Sequence, residues 1–319
     1  MNQATPNSPI VPPQAVNQKR RSILATDRRA GYGLAAPGII VIALVTIFPI
    51  LYSVWMSFNN INLTENGFQM TLNNFHNYSI IFHSSVFWNS AWFTFYYSVV
   101  TVAAELLLGL AIAIAIQGVK YLKNISVVIM LIPWALITTV SAEMWSYIYN
   151  GVYGVLNYLL QLAHIIHSPI AILSSTGPAV IAMMVADIWK TTPFVVIILV
   201  AGLQMIPNEL YEAAYIDGAG GWKAFWHVTL PLLRGSLALA GLFRILQAFG
   251  VFDLPFVLTN GGPGNSTQSL AILGYRVMFN NTDFGAGSGI AVVSVVIVLI
   301  VSLIFLSAFR SIVTDGEGE

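Results

Sequence analysis

Asp187 and Lys190 stand three residues apart inside an apolar stretch, and Arg244 and Gln247 repeat that spacing in another. A charge in a lipid-crossing helix costs about 2.5–3.5 kcal/mol on insertion scales, so such side chains face a partner or a polar cavity. Residues three apart share a helical face. Two readings of Asp187 and Lys190 stay open: a local ion pair that hides two charges, or part of a polar wall along a path across the membrane. Arg244 adds a third, neutralisation of Asp187 across helices. Asp187 lies roughly 15 Å into its segment at 1.5 Å per residue, close to mid-depth. Trp189 and Thr191 flank Lys190, and Trp145 follows Glu143 near the end of another apolar stretch. Glu105 sits in a further one with no legible partner.

Other chemistries find little support. Without cysteine there are no disulfides, thiolates or Cys-type metal sites. His76, His83, His164, His167 and His227 lack ligand spacing with supporting carboxylates, so no metal site is expected. No G-x-x-x-x-G-K-[ST] occurs, and the glycine runs at 218–221 and 261–264 lack the Lys-Ser/Thr ending. No nucleophile elbow is present, and no catalytic residue is assigned.

The elements that must hold these residues follow from composition. The 319-residue chain is 57% hydrophobic and 8% charged, against about a quarter charged in soluble domains. Zero formal net charge gives no electrostatic case for nucleic acid. Six segments reach the roughly 20 apolar residues of a span: 33–58, 90–117, 125–149, 178–203, 230–258 and 290–309. Each must be helical, since lipid offers no partner to an open backbone. The first is too long for a signal peptide and has no small-residue cleavage site after it. The expected fold is an all-α membrane protein with six transmembrane helices. Residues 1–30 form a disordered tail, 31–312 the transmembrane domain and 313–319 a short C-terminal tail. Lys19, Arg20, Arg21, Arg28, Arg29, Lys120, Lys123, Lys223 and Arg310 gather on one side, with Arg276 alone opposite. The positive-inside rule then puts both termini in the cytoplasm.

Between the fourth and fifth spans lies "ELYEAAYIDGAGGWKAFWHVTLPLL", an insert too polar for lipid. Pro207 can open a helix, Glu209 and Glu212 suit its first turns, and Asp217-Gly218 ends it with a left-handed glycine. A second short helix is expected from Trp222 to His227, stopped by Pro231. An ordinary connecting loop remains the plain alternative.

Glu212-Ala213-Ala214, Gly218 after three more residues, then Val228, Leu230 and Pro231 resemble the EAA loop of ATP-binding-cassette importer permeases, with Val for the usual Ile. "FDLPFVLTNGGPGNSTQSL" and "IPWALITTVSAEMWSYIYNGVYGVLNYLL" resemble the carbohydrate-uptake branch of that family, and the likeness spans most of residues 30–312. It implies a sugar importer's permease in a bacterial or archaeal cell membrane, a di- or oligosaccharide being the leading substrate. Its partners would be a second permease, identical or different, two ATPase subunits and an extracytoplasmic binding protein. ATP and Mg would be held by the ATPase subunits, with no cofactor in this chain. Glu212, Ala213, Ala214, Asp217, Gly218 and Ala219 would form the coupling element. Asp187, Trp189, Lys190, Thr191, Arg244, Gln247 and Trp145 would line the sugar path. A secondary transporter driven by an ion gradient is the rival reading, since buried Asp187 and Lys190 would suit it. It calls for inverted repeats, and none is visible. The turn-rich loop 259–267 is expected to meet the binding protein or gate the outer mouth, with Arg276 and Asp283 adding charge.

Overall fold

The computed structural model describes residues 33–64, 67–118 and 123–314. The expected tail 1–30, the cations before residue 33, Lys120 and residues 315–319 lie outside them. Two compact units are present, Met1–Trp55 and Met56–Glu319. Residues 33–55 of helix α1 (Gly33–Ser57) belong to the first, and the most apolar stretch of that helix has no buried residue.

The second unit opens on an antiparallel hairpin, β1 (Asn59–Thr64) and β2 (Gly67–Leu72), registered as Asn59 opposite Leu72 and Ile61 opposite Met70. Helix α2 (His76–His83) follows, then α3 (Ser85–Gly118), α4 (Lys123–Ala135), α5 (Thr138–Ile148), α6 (Val155–Leu162) and α7 (Thr176–Gln204). Helix α8 (Asn208–Ile216), α9 (Gly221–Phe249), α10 (Asp253–Thr259), α11 (Leu270–Tyr275) and α12 (Phe284–Thr314) complete it. Five helices among the described residues are long and apolar enough to cross a membrane, and α4 with α5 make a sixth span if the bent pair is one.

That pair departs from the expected straight span at 125–149, because the two halves bend by 87°. Pro133 lacks an N–H and crowds the carbonyl four residues back. The chain leaves the helix at Ile137, which is extended at φ −60°, ψ 136°. The fifth span also differs. It ends at Phe249 rather than 258: Gly250 is a weak helix former, the Ser269 hydroxyl donates to the Val251 carbonyl at 2.7 Å, and Asp253 heads the separate α10.

Helix α7 is the central element, burying over half of its most apolar window. One core cluster joins Ala113 and Ile116 of α3 to Val195, Leu199 and Leu203 of α7 and to Leu233, Leu237 and Ala240 of α9. A second gathers Phe93, Tyr97, Ala142, Met183, Ala186 and Leu254. Close approach depends on small residues: a Cβ on Gly202 would fall 2.2 Å from the Ser236 hydroxyl. The small-residue run 236–241 therefore packs within the chain, with Gly241 seated against the Phe305 ring.

Candidate functional site

The charged residues of α3, α7 and α9 converge. Tyr97 and Glu105 are wholly buried, Arg244 is 2% exposed, and Asp187 and Lys190 are 8% exposed each. The Arg244 guanidinium donates through Nε to Glu105 Oε2 and through Nη2 to Oε1 at 2.8 Å. This is the two-toothed carboxylate grip that a planar guanidinium favours. Nη2 also lies 3.5 Å from Asp187 Oδ2, and Nη1 donates to Gln247 Oε1 at 2.8 Å. Tyr97 donates its phenol proton to Asp187 Oδ2 at 2.9 Å. Thr191 donates to Glu105 Oε1 at 2.6 Å and back to the Asp187 carbonyl at 2.7 Å.

Asp187 thus finds its ion partner across helices, in Arg244, and not in Lys190 three residues along. No carboxylate lies within ion-pair distance of Lys190 among the described residues. Nearby, Trp145 and Trp189 meet edge to face at 5.6 Å, and the Trp145 indole nitrogen is buried without a protein partner.

The polar insert stands apart from this core. Helix α8 buries none of its residues. Ile216 is 86% exposed and Trp222 73%. Pro207 is the extended residue just before α8, not its first helical one. At the far end Gly218 adopts φ +77°. Its N–H bonds the Tyr215 carbonyl at 3.1 Å, and the Ala219 N–H bonds the Ala214 carbonyl at 2.9 Å, the paired bonds of a Schellman cap. Nothing lies within 4 Å of a Cβ placed on Gly218, so backbone conformation alone selects glycine there. The expected stop at Pro231 is absent, because α9 runs unbroken from Gly221 to Phe249. A π turn at Phe225–Thr229 holds His227, whose carbonyl a proline at 231 would otherwise crowd. The Tyr211 and Thr229 hydroxyls meet at 3.0 Å and tie α8 to the root of α9.

Loop 259–267 is a folded turn. Arg276 donates to the Asn260 carbonyl at 2.6 Å, to Asn265 Oδ1 at 3.1 Å and to Gln268 Oε1 at 3.3 Å. Thr259 and Thr267 hydroxyls close it at 2.6 Å. Asp283 accepts from the Ala286 N–H at 2.9 Å, at the head of α12.

Residues 105–313 match the family described as binding-protein-dependent transport system inner membrane component. The chain belongs to that family. This permease is 36% identical to the trehalose/maltose transport system permease protein MalF of Thermococcus litoralis, over 89% of this chain and 95% of the relative. It is 34% identical to the sulfoquinovosyl glycerol transport system permease protein SmoG of Agrobacterium fabrum, over 89% and 92%. Among solved structures it shares the fold of a chain from a bacterial ABC transporter involved in import of the acidic polysaccharide alginate. The TM-score there is 0.78 at 19% identity, covering 92% of this permease and 99% of that chain. Membership makes it a multi-pass membrane subunit of the ABC-importer type, as the EAA-like spacing implied.

Within the permease, Asp187, Thr191, Arg244 and Gln247 come together in one cluster. Trp145, Trp189 and Lys190 lie beside it. Glu212, Ala213, Ala214, Asp217, Gly218 and Ala219 form the exposed insert. Two cluster members escaped the sequence reading. Glu105, left without a partner there, is the one Arg244 grips, and Tyr97 caps Asp187. An unexplained buried acid in a span is itself the signal that a cation elsewhere must face it.

Proposed function

We propose that this chain is a permease subunit of an ATP-driven, binding-protein-dependent sugar importer. The observation that carries the reading is the insert: a capped, rigid α8 with no buried residue, rooted directly in α7 and α9, the two helices that hold Asp187 and Arg244. An insert exposing Ile216 at the end of α8 and Trp222 at the start of α9 suits a soluble partner better than water. That partner is a pair of ATPase subunits, which would bind ATP and Mg. The distribution of positive charges supports a cytoplasmic insert and cytoplasmic termini. A second permease would complete the path and an extracytoplasmic binding protein would deliver the solute. The named substrates of the relatives, trehalose/maltose and sulfoquinovosyl glycerol, support a sugar.

In the path, Trp145, Trp189 and Lys190 are the side chains with capacity left for a solute. Thr191 and Gln247 are already engaged by Glu105 and Arg244, so their role is to hold the wall in shape. The deciding experiment is affinity purification of this chain from membranes. An ATPase should co-purify with the native chain and be lost when residues 208–224 are replaced by a Gly/Ser linker. Retention of the ATPase after that replacement would overturn the coupling role.

A further inference from the structure

A second polar site lies away from the ionic cluster, where the first turns of α3 meet loop 259–267. Asn89, Trp92, Tyr96, Gly264, Asn265 and Ser266 line most of a cleft of about 220 Å³. None of its lining residues is charged. Arg276 is held out of it by three hydrogen bonds, one of which takes Asn265 Oδ1 and leaves the Asn265 Nδ2 donor unengaged. Ser266 Oγ is buried and has no protein partner. On one wall Trp92 is 62% exposed, with its ring 6.0 Å from that of Tyr96.

An exposed indole sharing a cleft with two side-chain amides and a hydroxyl matches one chemical class. A sugar ring has an apolar face of C–H groups and a rim of hydroxyls that both donate and accept. Trp92 offers the face. Asn89 offers both an acceptor and donors, Asn265 a donor, and Ser266 either. Without a cation, the cleft does not favour an acidic sugar. Its volume falls below the roughly 300–1,000 Å³ of drug-sized ligand pockets, which suits one ring rather than a chain. We propose that this cleft is a subsite for a single neutral sugar residue, stacked on Trp92 and hydrogen-bonded by Asn89, Asn265 and Ser266. The assignment rests on the sugar-importer reading, under which this end of α3 is the outer one. A saccharide would then touch this rim before reaching Trp145 and Trp189.

The test is saturation-transfer NMR on the full chain in nanodiscs, with methyl α-D-glucopyranoside as the probe. Transfer to the ring protons is expected with the native chain. Trp92→Ala should weaken binding about tenfold by removing the aromatic platform, while Trp92→Phe keeps most of it. Ser266→Ala removes a hydroxyl with no protein partner and should weaken binding without lowering thermal stability. Equal transfer in the native and Trp92→Ala chains, or none in the native chain, overturns the subsite. Uptake of labelled trehalose and maltose by cells carrying the whole transporter tests the import reading separately. Import with a silent cleft overturns the subsite alone. Probe binding lost on Trp92→Ala supports the subsite even in cells that import neither sugar.

Discussion

Arg244 and Glu105, 139 residues apart in the chain, are joined by two guanidinium–carboxylate contacts between α9 and α3. Nη2 of the same guanidinium also reaches Asp187 of α7, and Nη1 is held by Gln247. Three helices are thereby fastened at one buried point. Removing one side of a buried ion pair costs about 3–5 kcal/mol, whereas replacing both sides with apolar groups is often neutral. Arg244→Met should therefore lower the thermal midpoint in nanodiscs sharply. Glu105→Met/Arg244→Met should recover much of that loss, since the buried carboxylate goes with its cation and Asp187 keeps the Tyr97 hydroxyl, leaving only the neutral Gln247 amide without its donor. A double variant less stable than Arg244→Met would show that the pair is not coupled.

Gly218 makes a cleaner test of the insert, because its φ of +77° is occupied without crowding. A left-handed residue with a Cβ costs roughly 1–2 kcal/mol, and Asn tolerates the conformation better than most. Gly218→Val should redirect the start of α9 and reduce ATPase co-purification, with membrane insertion unchanged. Gly218→Asn should stay near the native level. Equal co-purification of the Val and native chains would sink the idea.

At the α7–α9 contact, Gly202→Ala places its methyl on the Ser236 hydroxyl, 2.2 Å away. Overpacking of this kind costs about 1–3 kcal/mol. Ser236→Gly in the same chain should restore most of the loss, as read by thermal unfolding. Absence of any rescue would place the strain elsewhere.

Arg276 is the fastening of loop 259–267. Arg276→Ala frees the Asn260 carbonyl and the Asn265 and Gln268 amides, so hydrogen exchange at 260–268 should speed up while the α3–α7 core keeps its protection. Arg276→Lys should recover little, because an ammonium cannot hold three acceptors in a planar fork. Unchanged exchange in Arg276→Ala would mean that the Thr259–Thr267 contact suffices.

The insert was the most legible region because its determinants are local. An acid in the first turn, a left-handed glycine and their spacing lie within a dozen residues. The span positions were legible for the same reason. What escaped was set at long range. Spacing left Asp187 a choice between Lys190 along α7 and Arg244 across helices; the guanidinium from α9 is the one that reaches the carboxylate, and the Tyr97 cap from α3 had no signal in the spacing. Glu105 looked partnerless because its partner is far off in sequence. The 87° bend after Pro133 and the passage of α9 through Pro231 went opposite ways from similar signals. A π turn ahead of Pro231 takes up the crowding, whereas the chain after Pro133 turns extended at Ile137.

The two helices leaving the insert are also lever arms. From Gln204 back to Asp187 is roughly 25 Å of helix, and from Gly221 forward to Arg244 roughly 35 Å, at 1.5 Å per residue. A tilt of about 5° at the insert end moves the tip of the shorter arm by roughly 2 Å over that length. That is enough to separate the 3.5 Å contact between Arg244 and Asp187. Glu105 rides on α3, outside both arms. A small rotation applied at the insert would thus reach the guanidinium as a displacement comparable with its 3.5 Å contact to Asp187.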